Sequence, residues 1–446
     1  MAKYRCPEQW PEWVEWLAAG LHGRCRWRLP VVLSGMLFAL GRRTVASWLR
    51  AAGVTDHWKA YYYFISAVGR KTESIAARLL LLLLARLPTG PRLVFALDDT
   101  PTKRYGPHVE GAGIHRNPTP GPADSKYVYG HIWITLALIL RHTLWGTIGL
   151  PFLAKLYIRA KDIGKLPGYY RWQFQTKLQQ AADMIRWLVH LTAETGKRLW
   201  IVADGFYAKR PVLKVARALK AVVFISRLRK DAALWTLPPP LKKGQRRGRG
   251  QPRKYGTQRI SLAKRAGQPR GWFWVECLPY GQTVRKKVKT FLATYRPAYG
   301  TIRVVIVQEP TGCQFFFSLD PEVSVEQVLE TFADRAAIEQ DFHDVKEVWG
   351  AGQQQVRHLW ANIGAWHLNL WMHTLVELWA WKKRKRQICD RRASPWDDAD
   401  RRPSHADRRK ALRRWMLREE YSALARGWQL PRKIRAVVQK LLNLAV

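Results

Sequence analysis

The chain has 446 residues, of which 47% are hydrophobic and 12% aromatic, so it can form packed cores and is not a wholly disordered chain. Its 76 Lys and Arg residues against 33 Asp and Glu residues give a formal net charge of +43. Such a chain repels itself and is expected to bind a polyanion. This favours a DNA- or RNA-processing enzyme over a ribosomal-type or a membrane-surface protein.

Cysteine usage and hydropathy predict the compartment. The five cysteines are scattered and form no CxxC pair, which argues against a disulfide framework or a structural zinc site. The most apolar runs, near residue 80 and over 131–140, are shorter than the roughly 18 residues of a membrane span. We therefore predict a protein of the reducing bacterial cytoplasm, associated with the nucleoid and without membrane contact.

Residues 1–90 are predicted to be helical and basic. The segment RRTVASWLRAAGV, residues 42–54, has apolar residues at helical spacing before Gly53, and further helical segments follow. Two helices joined by a glycine turn, with Arg and Lys outside, are typical of a helix-turn-helix module. We predict that 1–90 is a DNA-binding region, with an ordinary basic helical bundle as the alternative.

Residues 91–228 change to alternating strands and helices. The predicted elements are a strand over 92–99 that ends in two aspartates, a hairpin of strands over 126–140 and 144–158, a helix over 172–194, a strand from 198 to Asp204, a helix over 208–219 and a strand over 221–228. This order predicts an α/β fold in which a mixed sheet carries helices on its faces.

The remaining chain divides into three predicted parts. Residues 229–320 are a basic, β-rich insertion, whose Gly-, Pro-, Arg- and Lys-rich part near 240–270 is either an arm along DNA or a solvated linker. Residues 321–381 begin with a helix that starts at a capping box of Ser324 and Gln327, and a further helix follows it. Residues 382–446 are a basic, helical C-terminal tail.

Three acidic residues form the candidate chemical site. Asp98 and Asp204 each end an apolar strand, and Glu339 lies in the middle of the helix predicted over 324–349. The carboxyl ends of neighbouring parallel strands meet at one sheet edge, where ligands bind. Mg²⁺ prefers oxygen ligands, and two such ions about 3.5–4 Å apart promote phosphoryl transfer. A single strand-terminal aspartate can equally be a turn residue or a helix cap, but three acids in this layout favour a metal site.

The helix that carries Glu339 has a regular face. Phe332, Arg335, Glu339, Phe342 and Lys346 are spaced 3, 4, 3 and 4 residues apart, which is the spacing of one helical face. The simpler interpretation is a salt-bridged stripe, in which an exposed Arg–Glu pair four residues apart contributes about 0.2–0.5 kcal/mol.

This run also resembles a known family pattern. The segment from Phe332 to Lys346 resembles the Tyr-(2)-Arg-(3)-Glu-(6)-Lys signature of bacterial insertion-sequence transposases, in the insertion-sequence-four-like group. All three spacings match, and Phe332 stands where the signature has tyrosine, so the ring is kept and a hydroxyl is lost. The segments LVFALDDT and RLWIVADGFYAK resemble the two aspartate strands of that family. The resemblance covers about residues 90–350.

The resemblance implies a ribonuclease H-like catalytic domain with a β-rich insertion between the second aspartate and the glutamate. It implies that Asp98, Asp204 and Glu339 are a DDE triad that holds two Mg²⁺ or Mn²⁺ ions. The implied activity is that of a DNA transposase, which binds inverted-repeat ends, cleaves strands and joins them to target DNA as a homodimer. The alternatives are a nuclease of the same fold without strand transfer and a catalytically idle DNA-binding protein.

Either Asp98 or Asp99 is the first acidic ligand. Asp98 and Asp99 are neighbours on one strand, so their side chains point to opposite faces. Strands of the family usually contain Asp-x-Thr or Asp-x-Ser, and Asp98-Asp99-Thr100 matches this pattern at Asp98. We predict Asp98 as the ligand and keep Asp99 as the alternative.

Basic residues near the three acids are the candidate DNA contacts. Arg335 and Lys346 flank Glu339 on its helix face and are predicted to bind phosphates of the transposon end. Four further basic residues follow the two aspartates and are predicted to do the same: Lys103, Arg104, Lys209 and Arg210.

Overall fold

The structure is a computed structural model of the chain. The residues described are 6–117, 125–239, 253–389, 391, 396–398, 400–424, 434, 437 and 438. The first part of the predicted DNA arm, residues 240–252, and most of the end of the predicted basic tail lie outside the described residues.

Fourteen α-helices are found among the described residues. They are α1 Gln9–Ala18, α2 Arg28–Phe38, α3 Val45–Ala51, α4 Trp58–Arg70, α5 Thr72–Arg86, α6 Ala160–Ile163, α7 Lys177–Thr192, α8 Arg210–Ala218, α9 Leu262–Gly267, α10 Val325–Asp334, α11 Ala336–Glu347, α12 Leu359–Ala380, α13 Lys385–Ile388 and α14 His405–Leu424. The helical prediction for the first 90 residues agrees with α1 to α5.

Twelve strands are found in the same described part of the chain. They are β1 Arg92–Lys103, β2 Gly113–Arg116, β3 Tyr127–His142, β4 Gly146–Tyr157, β5 Arg198–Ala203, β6 Val222–Arg227, β7 Leu234–Trp235, β8 Arg259–Ile260, β9 Phe273–Cys277, β10 Val284–Tyr295, β11 Gly300–Glu309 and β12 Gly312–Ser318. The hairpin predicted after the first strand is present as β3 and β4, which pair antiparallel.

These strands form one mixed sheet. Its order is β2-β3-β1-β5-β6-β12-β11-β10-β7-β8, with β4 paired to β3 and β9 paired to β10. β1, β5 and β6 are parallel neighbours, whereas the other pairings are antiparallel. The fold is therefore mixed α/β with a large mixed sheet and helices, which is compatible with a ribonuclease H-like fold.

The strands of the predicted insertion extend the central sheet. β12 pairs antiparallel with β6 through Phe316–Arg227, Phe317–Ser226 and Ser318–Ile225, and β11 and β10 follow outward. Residues 271–319, which were predicted to be strand-rich, therefore continue the sheet that carries the two aspartate strands. This continuity joins the insertion to the candidate site through hydrogen-bonded backbone.

The N-terminal helices are packed against the rest of the chain. α4 crosses α12 at two glycines, because a Cβ at Gly69 would lie 1.9 Å from the Trp360 carbonyl oxygen and one at Gly364 would lie 2.0 Å from the Ile65 carbonyl oxygen. Thr44 caps α3 by accepting a hydrogen bond from the Ser47 backbone, as helix starts require. A DNA-binding role of this region stays a prediction.

Two hydrophobic cores lie on opposite faces of the sheet. On β1, Val94 and Ala96 face one core, which also contains Ile338 and Phe342 of α11. The alternate β1 residues, including Phe95, face the other core, which contains buried residues of α7 and α12. Because side chains alternate along a strand, the residues that follow on β1 are also divided between the two faces.

Two predicted element boundaries were wrong. β1 does not end at the aspartates: its pairing with β3 continues to Lys103, although its parallel pairing with β5 stops at Leu97. The predicted helix over 324–349 is two helices, α10 and α11, with a break at Arg335. Side chains on the two sides of that break are anchored differently, since Asp334 accepts from Thr147 at 2.7 Å and Arg335 donates to Asp98 at 2.6 Å.

Candidate active site

Asp98 and Asp204 lie next to each other, directly after the parallel pairing of β1 with β5. The register between β1 and β5 ends at the pair Leu97–Ala203, and the two aspartates are the next residues on the two chains. The apolar residues before them are buried, which anchors both strand ends in the core. The structure therefore brings Asp98 and Asp204 to neighbouring positions at one sheet edge, where α/β proteins bind ligands.

Glu339 reaches the same place from α11. Ile338 and Phe342 bury one side of this helix in the core shared with Val94 and Ala96 of β1. Asp98 has the same parity on β1 as those two residues and therefore faces α11. Asp98 on β1 and Glu339 on α11 thus lie on one face of the sheet, and Asp204 directly follows β5 at the position next to Asp98.

One guanidinium links two of these carboxylates. Arg335 Nη1 donates to Asp98 Oδ2 at 2.6 Å, and Arg335 Nη2 donates to Glu339 Oε1 at 2.7 Å. The Asp98 side chain is 17% exposed, whereas that of Glu339 is 59% exposed. The carboxylates therefore already surround a cationic group at a site that is open on the side of Glu339.

The electrostatics of Asp98 indicate a crowded acidic site. Burial raises the pKa of Asp98 to about 7. The Arg335 charge and the Asp99 backbone N–H, which lies 2.8 Å from Asp98 Oδ1, oppose this rise in pKa, while the charges of Asp99 and Asp204 add to it. A bound cation relieves such repulsion, so the oxygen donors at this site fit a divalent metal ion.

Asp99 lies on the opposite face and is held there by two partners. Lys177 at the start of α7 donates to Asp99 Oδ2 at 2.6 Å, and the Tyr207 hydroxyl donates to Asp99 Oδ1 at 2.7 Å. Tyr207 is fully buried, and burial together with the Asp99 charge raises its pKa well above the usual range, so the hydroxyl keeps its proton. Asp98, and not Asp99, therefore shares a face with Glu339.

The Asp99 contacts were not predicted from the sequence. Tyr207 lies three residues after Asp204, so its bond to Asp99 ties the loop after β5 to β1. Lys177 is far away along the chain and is brought in by the packing of α7. Only the position of Tyr207, close behind the second aspartate, gave a local signal in the sequence.

The predicted DNA contacts differ in their surroundings. Lys346 is partly buried beside the site: Nζ donates to Thr100 Oγ1 at 2.6 Å, and burial lowers its pKa to about 8. Lys103, Lys209 and Arg210 are exposed, with Lys209 Nζ 4.7 Å from the centre of the Phe206 ring. Lys346 therefore lies beside the candidate acidic site, and Lys103, Lys209 and Arg210 are exposed to solvent.

Arg104 differs from the other predicted DNA contacts because it is enclosed by the fold. Its side chain is buried, with Nε 3.1 Å from His131 Nδ1 and Nη1 2.7 Å from the Gly352 carbonyl oxygen. Burial lowers the pKa of Arg104 to about 10. The guanidinium is bound to internal acceptors, and a DNA contact by Arg104 stays a prediction.

Phe332 packs where the resembled pattern has a tyrosine. Its ring centre lies 4.8 Å from that of Phe316 on β12, and the Arg335 guanidinium carbon lies 5.4 Å from the Phe332 ring centre. The aromatic ring therefore packs against both the Arg335 guanidinium and Phe316, and it joins α10 to the sheet. This packing requires a ring and does not require a hydroxyl.

Comparison with protein families agrees with this geometry. A family model described as DDE superfamily endonuclease matches residues 17–132, which include Asp98. A second, described as Transposase DDE domain, matches residues 176–375, which include Asp204 and Glu339. The two matches support a DDE-superfamily transposase. None of the curated proteins with which the sequence was compared matches it.

The two matches support an enzyme that cleaves nucleic acid, and they imply DNA as its partner. Nucleases of this superfamily generally use divalent metal ions, which agrees with the oxygen donors found here. Among the described residues, no helix is both long enough and apolar enough to cross a membrane.

Proposed function

We propose that this chain is a DNA transposase of the insertion-sequence-four-like group, which binds inverted-repeat ends, cleaves DNA strands and transfers them to target DNA. One observation carries the proposal: Arg335 bridges Asp98 and Glu339, while Asp204 directly follows β5, whose last residue pairs with Leu97 next to Asp98. Such a cluster of carboxylates around one cation matches the chemistry of a metal-dependent phosphoryl-transfer site.

In this proposal, Asp98, Asp204 and Glu339 hold two Mg²⁺ or Mn²⁺ ions. When bound, divalent ions activate an attacking oxygen and stabilise the leaving oxygen of the phosphodiester. The parallel pairing of β1 with β5 up to Leu97 and Ala203 keeps Asp98 and Asp204 side by side. The buried Ile338 next to Glu339 fixes the helix that presents this glutamate. The protein thus supplies rigid ligands, and its own groups position the DNA.

Arg335 and Lys346 are proposed to bind phosphates of the transposon end. Arg335 is tied to two carboxylates in the structure, and its guanidinium would be available for a phosphate when those carboxylates hold a metal ion instead. Lys346 lies on the same helix at the buried side of the site, so its ammonium group can meet a phosphate that is seated deeply. Lys103, Lys209 and Arg210 extend this basic surface.

The test is strand cleavage by Glu339→Gln compared with Glu347→Gln. Both glutamates lie on α11 and both are exposed, so the pair controls for loss of charge on this helix. The substrate is a plasmid that carries the DNA flanking the coding region. We expect Glu339→Gln to abolish cleavage and Glu347→Gln to retain it. Equal cleavage by the two variants would refute the triad assignment.

A nuclease without strand transfer is the second candidate, because one matching family is described as an endonuclease. A joining assay separates the two functions. Pre-cleaved ends with a free 3′-hydroxyl are incubated with the wild-type protein and a target plasmid. A transposase joins them, and a simple nuclease leaves them free. A protein that pairs two ends must also present two sites, so we propose a homodimer in the end complex.

A further inference from the structure

A cavity of about 500 Å³ lies behind the helix that carries Glu339. It is lined by residues of β4, α10, α11, α12 and the start of α14. Asp341 and Asp344 line it from α11, and they project from that helix on the side away from Glu339. The cavity is therefore separate from the proposed catalytic site.

Three buried side chains with metal-binding atoms meet in this cavity. His373 and Glu377 are four residues apart on α12, so they share one helix face, and His405 is the first residue of α14. One ligand atom from each lies within 4.8 Å of the others. All three residues are at most 3% exposed. In the described part of the chain this is the one such group, and its members come from two elements far apart in sequence.

Two of the three residues have polar atoms without a partner. His373 Nδ1 and Glu377 Oε2 are buried and make no hydrogen bond. Leaving such atoms unsatisfied in an apolar interior costs about 1–3 kcal/mol each. A ligand that accepts electron pairs from a nitrogen and an oxygen would remove this cost.

The residues around the cluster hold its side chains in place, as the hydrogen-bond partners of metal ligands do. Asp341 Oδ1 lies 3.4 Å from His373 Nε2, on the far side of the ring from the unpartnered nitrogen. Arg408 Nη1 lies 3.1 Å from Glu377 Oε1 and leaves the other carboxylate oxygen unpaired. The rings of His373 and His405 stack with their centres 4.0 Å apart.

We propose that His373, Glu377 and His405 form a binding site for a divalent transition-metal ion such as Zn²⁺. Two imidazoles and one carboxylate are a ligand set that Zn²⁺ uses, and imidazole disfavours Mg²⁺ as the occupant. The cavity provides room for water at a fourth position. Bound metal would join α12 to α14 directly behind α11 and so brace the helix that presents Glu339.

His405 determines what metal binding must displace. Its Nδ1 lies 2.5 Å from Glu377 Oε1, and its Nε2 accepts from Trp349 Nε1 at 2.7 Å, so the neutral ring carries its proton on Nδ1. Binding at Nδ1 expels this proton to solvent, and Nε2 then takes up one and gives up the Trp349 bond. Replacing the indole donor therefore favours the metal, and Trp349→Phe is expected to tighten binding.

The test measures metal binding by the full-length protein without DNA. Zn²⁺ and Co²⁺ are titrated in excess Mg²⁺, with the bound metal measured by mass spectrometry and the visible absorption of Co²⁺ recorded. We expect one tightly bound ion per chain and a Co²⁺ band typical of four-coordinate nitrogen and oxygen ligation. His373→Asn should weaken binding by more than about a hundredfold.

His367→Asn is the matched control, because His367 is also buried on α12 and bonds only to backbone groups in its surroundings. It should bind metal as the wild type does, as should Asp98→Asn at the proposed catalytic site. Glu377→Gln keeps the shape of the side chain and gives a second reading if His373→Asn does not fold. Absence of a tight ion in the wild type, or its loss in Asp98→Asn alone, would overturn the proposal.

Discussion

Two neighbouring carboxylates on β1 have opposite surroundings. Asp98 faces α11, where one arginine holds it next to a largely exposed glutamate. Asp99 faces α7, where a lysine and a buried tyrosine occupy both of its oxygens. The two residues have the same chemistry and nearly the same exposure, 17% and 18%, and strand alternation alone places one beside Glu339 and the other beside Lys177 and Tyr207.

This difference shows that sequence position alone does not determine the role of an acidic residue on a strand. Asp98 has a raised pKa because it is buried beside other acids, so it gains from a cation that arrives from outside. Both carboxylates pair with a cation at 2.6 Å, but Asp98 shares Arg335 with Glu339, whereas Asp99 pairs with Lys177 and with the Tyr207 hydroxyl. The face of the strand therefore decides which carboxylate is available for a metal ion.

The largest expected effect separates these two residues. Asp98→Asn should lower the rate of strand cleavage by at least about a hundredfold, because lost stabilisation by a metal ion is worth several kcal/mol in the transition state. Asp99→Asn should keep cleavage within about tenfold of wild type, since Tyr207 and Lys177 remain in place. Gel assays of DNA cleavage measure both rates. A larger loss in Asp99→Asn would reverse the assignment.

Arg335→Ala tests the cation on the Asp98 side. Removing the guanidinium leaves Asp98 and Glu339 uncompensated, so we expect the free energy of unfolding to fall by about 1–3 kcal/mol in chelator. Added Mn²⁺ should then raise the melting temperature more than in wild type, because no arginine competes with the ion. Complexes with DNA ends should weaken. An unchanged response to Mn²⁺ would show that Arg335 and metal do not share the carboxylates.

Tyr207→Phe tests the contact on the Asp99 side. The variant removes one hydrogen bond to a partly buried carboxylate, so the free energy of unfolding should fall by about 1–2 kcal/mol. Metal affinity should change by a few-fold at most, since Asp98 and Asp204 keep their strand anchors. Denaturant unfolding and Mn²⁺ titration measure the two quantities. A loss of metal binding without loss of stability would mean that Tyr207 belongs to the site.

Phe332→Tyr should have the smallest effect. The ring is partly exposed and packs on Phe316, so the added hydroxyl can reach solvent and stability should stay within about 0.5 kcal/mol. Restoring this hydroxyl should leave Mn²⁺ binding unchanged and affect only DNA-end affinity, measured by gel shift. A change in Mn²⁺ binding would contradict the packing of this ring against the Arg335 guanidinium.

Local patterns predicted much of the structure because they depend on neighbouring residues. Apolar runs predicted β1, β3, β4, β5 and β6, and the Ser324–Gln327 capping box is present with both hydrogen bonds. The prediction that the three acids lie at one site used the shared edge of parallel strands and the regular spacing on one face of α11. These features need only spacing, alternation and end signals.

Features that depend on distant contacts were not predicted. Arg104 is basic and follows the aspartates, but His131 and Gly352 enclose it after folding. The residues at the break between α10 and α11 bond to β4 and β1, and the continuity of the insertion with the sheet follows from the pairing of β12 with β6. No local pattern encodes partners that lie up to about two hundred and fifty residues away.

Metal-switched activity of Asp98→Cys and Asp99→Cys tests the central claim most directly. A thiolate binds Mg²⁺ poorly and Mn²⁺ better, so a ligand cysteine changes the metal that supports cleavage. We predict that Asp98→Cys is inactive with Mg²⁺ and regains cleavage with Mn²⁺, while Asp99→Cys shows the same ratio of activities in the two metals as wild type. A metal switch in Asp99→Cys and none in Asp98→Cys would contradict the assignment of Asp98 to the metal site.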